Sequence, residues 1–384
     1  MKRYRFYTYL FAILFVFNSS VLARPIAPMQ KTILPANIID DLGFESILIA
    51  ITRQLNYFKK LTMNEQIKFG KRTITRLHLV KSLEAFRKLT VNAINCFQVS
   101  LAEICYEKFN QDLNEQFEAY RPQPKKSERG FRENKTFFTA YYSPDLEGSF
   151  TQTEEFPNPI YAFPKKPLPS NLTSDRINFE GALKGQGLEL FYVSDSLFDI
   201  WLLQVEGGGR VKLRSEDGSY SSFYLSYAGT NKKSFKMLSK YMLAKGMLRK
   251  GNQSVEAQRK YFLAHPEKQR EILAFCPSYV FFKITDHEPL GVGNISLTPG
   301  RSMATDYRIY KEYGLISLVN AKRPVIIGQK IVKKKFSRFF ISQDTGGAIK
   351  GNARADLYFG YGELGELAAN HIHTLGDQYF LILK

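Results

Sequence analysis

The sequence predicts an α+β protein: mainly β, with a helical N-terminal region. Three observations carry this. Apolar residues recur at helical spacing between 38 and 120, then alternate or run together in short segments after 137. Aromatic residues make up 14% of the chain, with 31 Phe and 22 Tyr against the single Trp201, which suits a β-rich core and also surfaces that stack on sugar rings. A length of 384 residues is enough for two domains and a well-buried core.

The chain opens with a targeting pattern. MKRYRF is a basic n-region, TYLFAILFVF an apolar h-region, and NSSVLA sets Val21 and Ala23 before a cleavage point. The apolar run is shorter than the roughly 20 residues of a membrane span. Residues 1–23 therefore read as a secretory signal peptide, with a retained anchor as the alternative. The formal charge of +18 falls to +15 without Lys2, Arg3 and Arg5, so an anionic partner is expected. There is no zinc-finger spacing and no basic helix with base-reading periodicity, and export argues further against nucleic acid. A wall polymer or membrane surface fits better. Three cysteines are too few for a disulfide scaffold. Cys96 and Cys105 either pair around a helix–helix turn, leaving Cys276 free, or all three stay buried thiols.

Residues 24–136 read as a linker and a helical region. RPIAPMQKTILPAN (24–37) is punctuated by Pro. Leu79, Leu83, Phe86, Val91 and Ile94 fall on or near one helical face, and 101–120 repeats the amphipathic pattern. The charged, Pro-containing stretch 121–135 marks a boundary. Strands are expected at 137–143, 188–195, 198–207, 210–214 and 221–229. Helices follow over 234–248 and 255–275. Strands resume at 278–284, 324–332, 336–342, 355–359 and 379–383.

Two familiar motifs fail on inspection. Asp344-Thr345-Gly346 is the protease triplet, but an aspartic protease needs two such carboxyls sharing a proton, and a chain of this size should carry both. GYGELG (360–365) fits the dinucleotide fingerprint, yet too little chain follows to supply the next strand and its ribose-binding acid. It reads instead as a turn before a short helix. His371 and His373 lack further metal ligands, and no nucleophile elbow is present. What remains is carboxylate chemistry. Asp344 and Asp356 each lie at a strand–loop boundary, on either side of the glycine-rich GGAIKGN. One desolvated Asp could serve as a general acid; both could equally be turn-forming residues.

The order of the blocks FTAYYSPDLEGS, WLLQVEGGGRV, SYAGTN, CPSYVFF, EPLGVGNISLTPGRSMATD and QDTGGAIKGNARADLYFGYG resembles the membrane-bound lytic murein transglycosylase A family, from about 137 to the C-terminus. The resemblance implies a double-psi β-barrel built from 137–145 and 286–384. A second β domain, 146–285, would be inserted into it, with a glycan groove between them. It implies cleavage of the β-1,4 bond between N-acetylmuramic acid and N-acetylglucosamine without water, leaving a 1,6-anhydromuramoyl end. By the motif match Asp356 is the acid/base and Asp344 its helper. Thr139, Tyr142, Gln204, Arg210, Tyr227, Arg301 and Lys350 are candidates for holding sugar or peptide groups; Tyr142 and Tyr227 could instead be core aromatics, and Arg301 a barrel ion pair. No metal or cofactor is implied. The expected partners are peptidoglycan strands, other cell-wall enzymes and a membrane surface, around a periplasmic monomer. Three departures stand out: no lipid-attachment Cys follows the h-region, Gly208 replaces a usual Ser, and GYG-ELGELA is one residue short. A non-catalytic wall-binding protein and a hydrolytic glycosidase are the alternatives.

Overall fold

Three helices pack against one side of a closed β-barrel, and the chain leaves that barrel once to build a second sheet. The computed structural model describes residues 28–215 and 217–384; the segment read as a signal peptide lies outside them. Within the stretch expected to be a linker, β1 (Met29–Thr32) forms by pairing with residues 119–122. Helix α1 (Glu45–Phe58) follows, then a small hairpin, β2 (Gln66–Phe69) and β3 (Arg72–Thr75). That hairpin interrupts a region expected to be wholly helical. Helix α2 (Arg76–Phe97) starts where the Thr75 hydroxyl accepts the His78 N–H. It buries Leu79, Leu83 and Phe86, while Val91 is exposed rather than on the core face. A disulfide between Cys96 and Cys105 ties its end to α3 (Ala102–Gln116). The chain then turns extended as β4 (Phe117–Pro122), because Phe117, Ala119 and Tyr120 pack on the barrel and the strand pairs with β16.

Strand β5 (Thr136–Ser143) enters the barrel. The inserted sheet follows: β6 (Asp145–Ser149), β7 (Asn158–Tyr161), the short α4 (Ser174–Asn178), β8 (Glu189–Val193), α5 (Leu197–Glu206), β9 (Gly208–Arg214) and β10 (Tyr220–Thr230). Then come α6 (Leu238–Ala244), α7 (Val255–Ala264), α8 (Gln269–Ala274) and β11 (Val280–Thr285), giving the order β11-β10-β9-β6-β8-β7. The segment 198–207, expected as a strand, is helix α5. Ser196 caps it, and Gly207 ends it in the left-handed region at φ 74°. Its apolar residues point two ways because it is covered on two sides. Ile200 and Leu203 meet the sheet, while Phe198, Trp201 and Leu202 meet the cluster around Leu238, Met242 and Phe262. A run with apolar residues on two faces does not declare its period.

The return path is β12 (Ser302–Thr305), β13 (Ile316–Ile327), β14 (Lys330–Asp344), β15 (Arg354–Tyr361), α9 (Gly362–His371) and β16 (His373–Leu383). The order β16-β13-β14-β12-β15-β5 closes through β5–β16 pairing into a six-stranded barrel. β12–β14 and β15–β5 run parallel, and the remaining pairs antiparallel. The stretch 324–332, expected as one strand, is the tip of the β13–β14 hairpin. GYGELG is the end of β15 and the start of α9; Gly360 has φ 86°, and a Cβ there would meet Pro299 at 2.8 Å.

The barrel and helices share one core, in which Phe44, Phe86, Phe109 and Phe339 cluster edge to face or tilted, with the closest ring centroids 4.6 Å apart. Arg301 belongs to this core. It is fully buried, bonded bidentately to Asp40 at 2.7 and 2.9 Å and to Ser46 at 2.7 Å. It therefore holds the helical layer to the barrel, and a sugar cannot reach it. Among the described residues, no helix is long and apolar enough to cross a membrane.

Candidate active site

Five strand positions stand at one level around the barrel. Asp344 on β14 pairs with Ala304 on β12, Ala304 with Asp356 on β15, Asp356 with Thr139 on β5, and Thr139 with His373 on β16. The two Asp residues are thus two strands apart, roughly 10 Å by sheet spacing along the strip, with only a methyl side chain between them. Their twelve-residue separation in sequence is the loop needed to leave β14 and return on β15.

The two carboxyls are held differently. The Thr139 hydroxyl donates to Asp356 Oδ1 and accepts from Arg354 Nη2 at 2.7 Å. Burial pushes the Asp356 carboxyl upward, against the opposing pull of the Arg354 charge and the Thr139 bond. Asp344 accepts the Tyr141 hydroxyl at 2.7 Å and the Thr345 N–H at 2.8 Å. Burial still pushes it up to about 6, with the Asp356 charge adding to the rise.

The inserted sheet supplies the opposite wall. A groove cavity of about 300 Å³ is lined by Tyr141, Tyr142, Tyr358 and Asp344 from the barrel and by Glu206 and Tyr227 from the inserted domain. Glu206 ends α5, just before the Gly207 cap. Water reaches its side chain, but groove walls surround it, and that enclosure together with the Asp356 charge pushes it up to about 8. Three carboxyls of low charge propensity therefore meet here. Glu206, Arg354 and Tyr141 are candidate site positions that sequence reasoning missed. The available signals were adjacency: Arg354 stands two residues before Asp356, and Glu206 lies inside the WLLQVEGGGRV block.

The other expected residues divide. Tyr142, buried, and Tyr227, exposed, line the groove with Asp344, while Thr139 is bonded to Asp356, whose charge acts on Glu206 of the lining. Arg210 lies at the seam between domains, paired with Asp145 at 2.7 Å and stacked over Tyr361 at 5.0 Å. Gln204 turns away from the groove role: its Oε1 accepts the Val280 N–H at 3.1 Å, fastening α5 to β11. Lys350 lies elsewhere, in a basic cavity of about 690 Å³ shared with Arg129, Arg308 and Arg354. Among the described residues, no group of three His, Cys, Asp or Glu is assembled as a metal site would need.

Residues 137–283 match the family described as MltA specific insert domain, and residues 301–381 the 3D domain. The membrane-bound lytic murein transglycosylase A of Vibrio cholerae is 32% identical over 261 residues, which are 66% of this chain and 67% of that protein. The chain belongs to the membrane-bound lytic murein transglycosylase A family. The Escherichia coli K12 member is 32% identical over 240 residues, 62% of this chain and 63% of its own length. Two solved members share the fold. The structure of E. coli MltA with bound chitohexaose has a TM-score of 0.66 at 22% identity, covering 93% of this chain and 94% of that one. The Agrobacterium tumefaciens membrane-bound lytic murein transglycosylase has a TM-score of 0.63 at 24% identity, covering 88% and 92%. The family's insert match begins inside β5, so the strand that carries Thr139 also leads out of the barrel into the groove's far wall.

Proposed function

We propose that this chain is a peptidoglycan lytic transglycosylase, acting in the periplasm after removal of residues 1–23. It cleaves the β-1,4 bond between N-acetylmuramic acid and N-acetylglucosamine without water. The observation that carries the reading is Asp356: a carboxyl raised by burial, beside a groove between two domains, and oriented by a hydroxyl that is itself held by an arginine. In the proposed step, protonated Asp356 gives its proton to the glycosidic oxygen as the bond from the muramoyl anomeric carbon breaks. The 6-hydroxyl oxygen of the same muramoyl residue bonds to that carbon, and its proton passes to the Asp356 carboxylate. The acid is regenerated, and the product is a 1,6-anhydromuramoyl end. Intramolecular attack replaces an activated water, and its effective molarity can be large.

A glycan strand in the groove displaces water from Asp356 and raises its proton affinity further, which suits the acid role. Asp344 supports by fixing Tyr141 and shaping the local charge. Tyr142 and Tyr227 offer ring faces and hydroxyls to the sugars, Arg210 braces the seam, and Lys350 serves the carboxylates of stem peptides. The chitohexaose bound to the E. coli relative supports a glycan strand as the ligand.

Asp356→Asn should abolish release of 1,6-anhydro muropeptides from sacculi by at least about 10²-fold, with an unchanged melting temperature. A hydrolytic glycosidase is the second reading, favoured by the extra carboxyls Asp344 and Glu206, since ordinary glycosidases use two. Product mass separates the two readings: hydrolysis adds one water and leaves a reducing muramic end.

A further inference from the structure

The β13–β14 hairpin continues beyond the barrel as a free two-stranded arm. Ala321 and Phe336 form its last buried rung, and the pairing of β13 with β16 stops at Asn320. Beyond that rung Arg323 is half-buried and Pro324 is still buried, so only the three residues 325–327 and the turn project, by about 10 Å at 3.4 Å per residue. Its tip is apolar: Ile326 is 61% exposed, Ile327 64%, Ile331 48% and Val332 37%. Register pairs Val325 with Val332 and Ile326 with Ile331. Opposed residues share a face and successive residues alternate, so the tip is apolar on both faces. A protein partner seated on one face would leave the other wet; a medium that surrounds the tip would not.

Behind the tip lies a collar of cations. Across 322–335 the sequence KRPVIIGQKIVKKK has six Lys or Arg and no acid. Lys322 stands opposite Lys335, and Arg323 opposite Lys334. Like charges directly opposed across a ladder destabilise it. Arg323 is offset by Asp41 at 3.1 Å, but no ion pair involves Lys322, Lys333, Lys334 or Lys335 among the described residues. Such an arrangement is favourable against an anionic surface, where each cation gains electrostatic attraction within a Debye length. The apolar rungs and turn span roughly the 5–10 Å to which interfacial elements enter the headgroup–acyl boundary.

We infer that the 322–335 arm docks this protein on an anionic phospholipid bilayer, with Ile326, Ile327 and Ile331 inserted and the lysine collar on the headgroups. None of residues 322–335 lines the groove.

The test is an environment-sensitive fluorophore on Ile327→Cys in the full chain, where the native Cys276 is buried and Cys96 and Cys105 are joined. Phosphatidylglycerol vesicles should blue-shift its emission, phosphatidylcholine vesicles should do so about tenfold less well, and 0.5 M salt should weaken the shift. Lys333→Glu/Lys334→Glu in the same labelled chain should abolish the shift, while release of products from soluble glycan strands stays unchanged. No shift in a chain that still sediments with vesicles would overturn the inference. So would a shift that grows with protein concentration without lipid, which would make a second copy the occupant.

Discussion

The Thr139 hydroxyl bridges the Asp356 carboxyl, to which it donates, and the Arg354 guanidinium, from which it accepts. One oxygen thus fixes the orientation of the proposed proton carrier and couples it to a cation. Thr139→Val removes the bond that lowers the Asp356 proton affinity. The expected result is a fall in kcat of about tenfold, a basic limb of the pH–rate profile moved to higher pH, and restoration of both by Thr139→Ser. Initial rates of anhydro-product release across pH would check it. An unchanged limb would mean that Thr139 is packing alone.

Asp344 contributes to stability in a pH-dependent way. Its pKa rises from the ordinary 3.8 to about 6 in the folded chain, so folding is linked to proton uptake there. Below about pH 3 the group is protonated folded or unfolded and costs nothing. As pH rises through 4 to 6 the unfolded chain ionises first, and the folded state becomes relatively less stable. Asp344→Asn keeps an acceptor for Tyr141 and Thr345 but cannot ionise. It should be more stable than the parent by about 3 kcal/mol at pH 8 and similar to it at about pH 3. Thermal melts at the two pH values would reveal it, and a constant difference across pH would refute the linkage.

What the sequence made legible follows from local pattern. Strands β14 and β15 were readable because apolar runs met clear turn residues, and Asp344 and Asp356 stood out at the end of the first and near the start of the second. Helix α5 was not, since a segment with apolar residues on two faces hides its period until its two coverings are known. The tip of the β13–β14 arm was hidden for the opposite reason: Gly328 and Gln329 turn the chain within a run that remains apolar on both sides. Arg301 was ambiguous because its partner, Asp40, lies 261 positions away in a helical layer whose docking only the fold reveals. Glu206 was missed because nothing local announces that the end of α5 faces Asp356 across a groove.

The buried Arg301–Asp40 pair should behave as framework rather than as substrate contact. Asp40 also accepts the Phe339 N–H at 2.8 Å and the Leu42 N–H at 2.9 Å, so its loss strands several groups at once. Arg301→Met leaves that carboxylate unpaired in the core. A destabilisation of about 3–5 kcal/mol is expected, with KM for glycan unchanged in whatever fraction remains folded. Arg301→Met combined with Asp40→Leu should recover part of the loss, as a double-mutant cycle in denaturant would measure. A rise in KM without loss of stability would return Arg301 to the substrate contacts.

Glu206 offers the sharpest separation of charge from shape in the groove. Pushed up to about 8, it is neutral at pH 6, where Gln is its near-isostere. Glu206→Gln should therefore leave the rate at pH 6 within about twofold, because neither protonation state nor hydrogen-bonding reach has changed much. Glu206→Lys places a cation near Asp356 instead, which favours its ionised form and lowers its proton affinity. The basic limb of the pH–rate profile should then move to lower pH, and kcat at pH 7 should fall by about tenfold. If Gln and Lys at this position gave the same pH profile, Glu206 would lie outside the electrostatic reach of Asp356, and the far wall of the groove would act through shape alone.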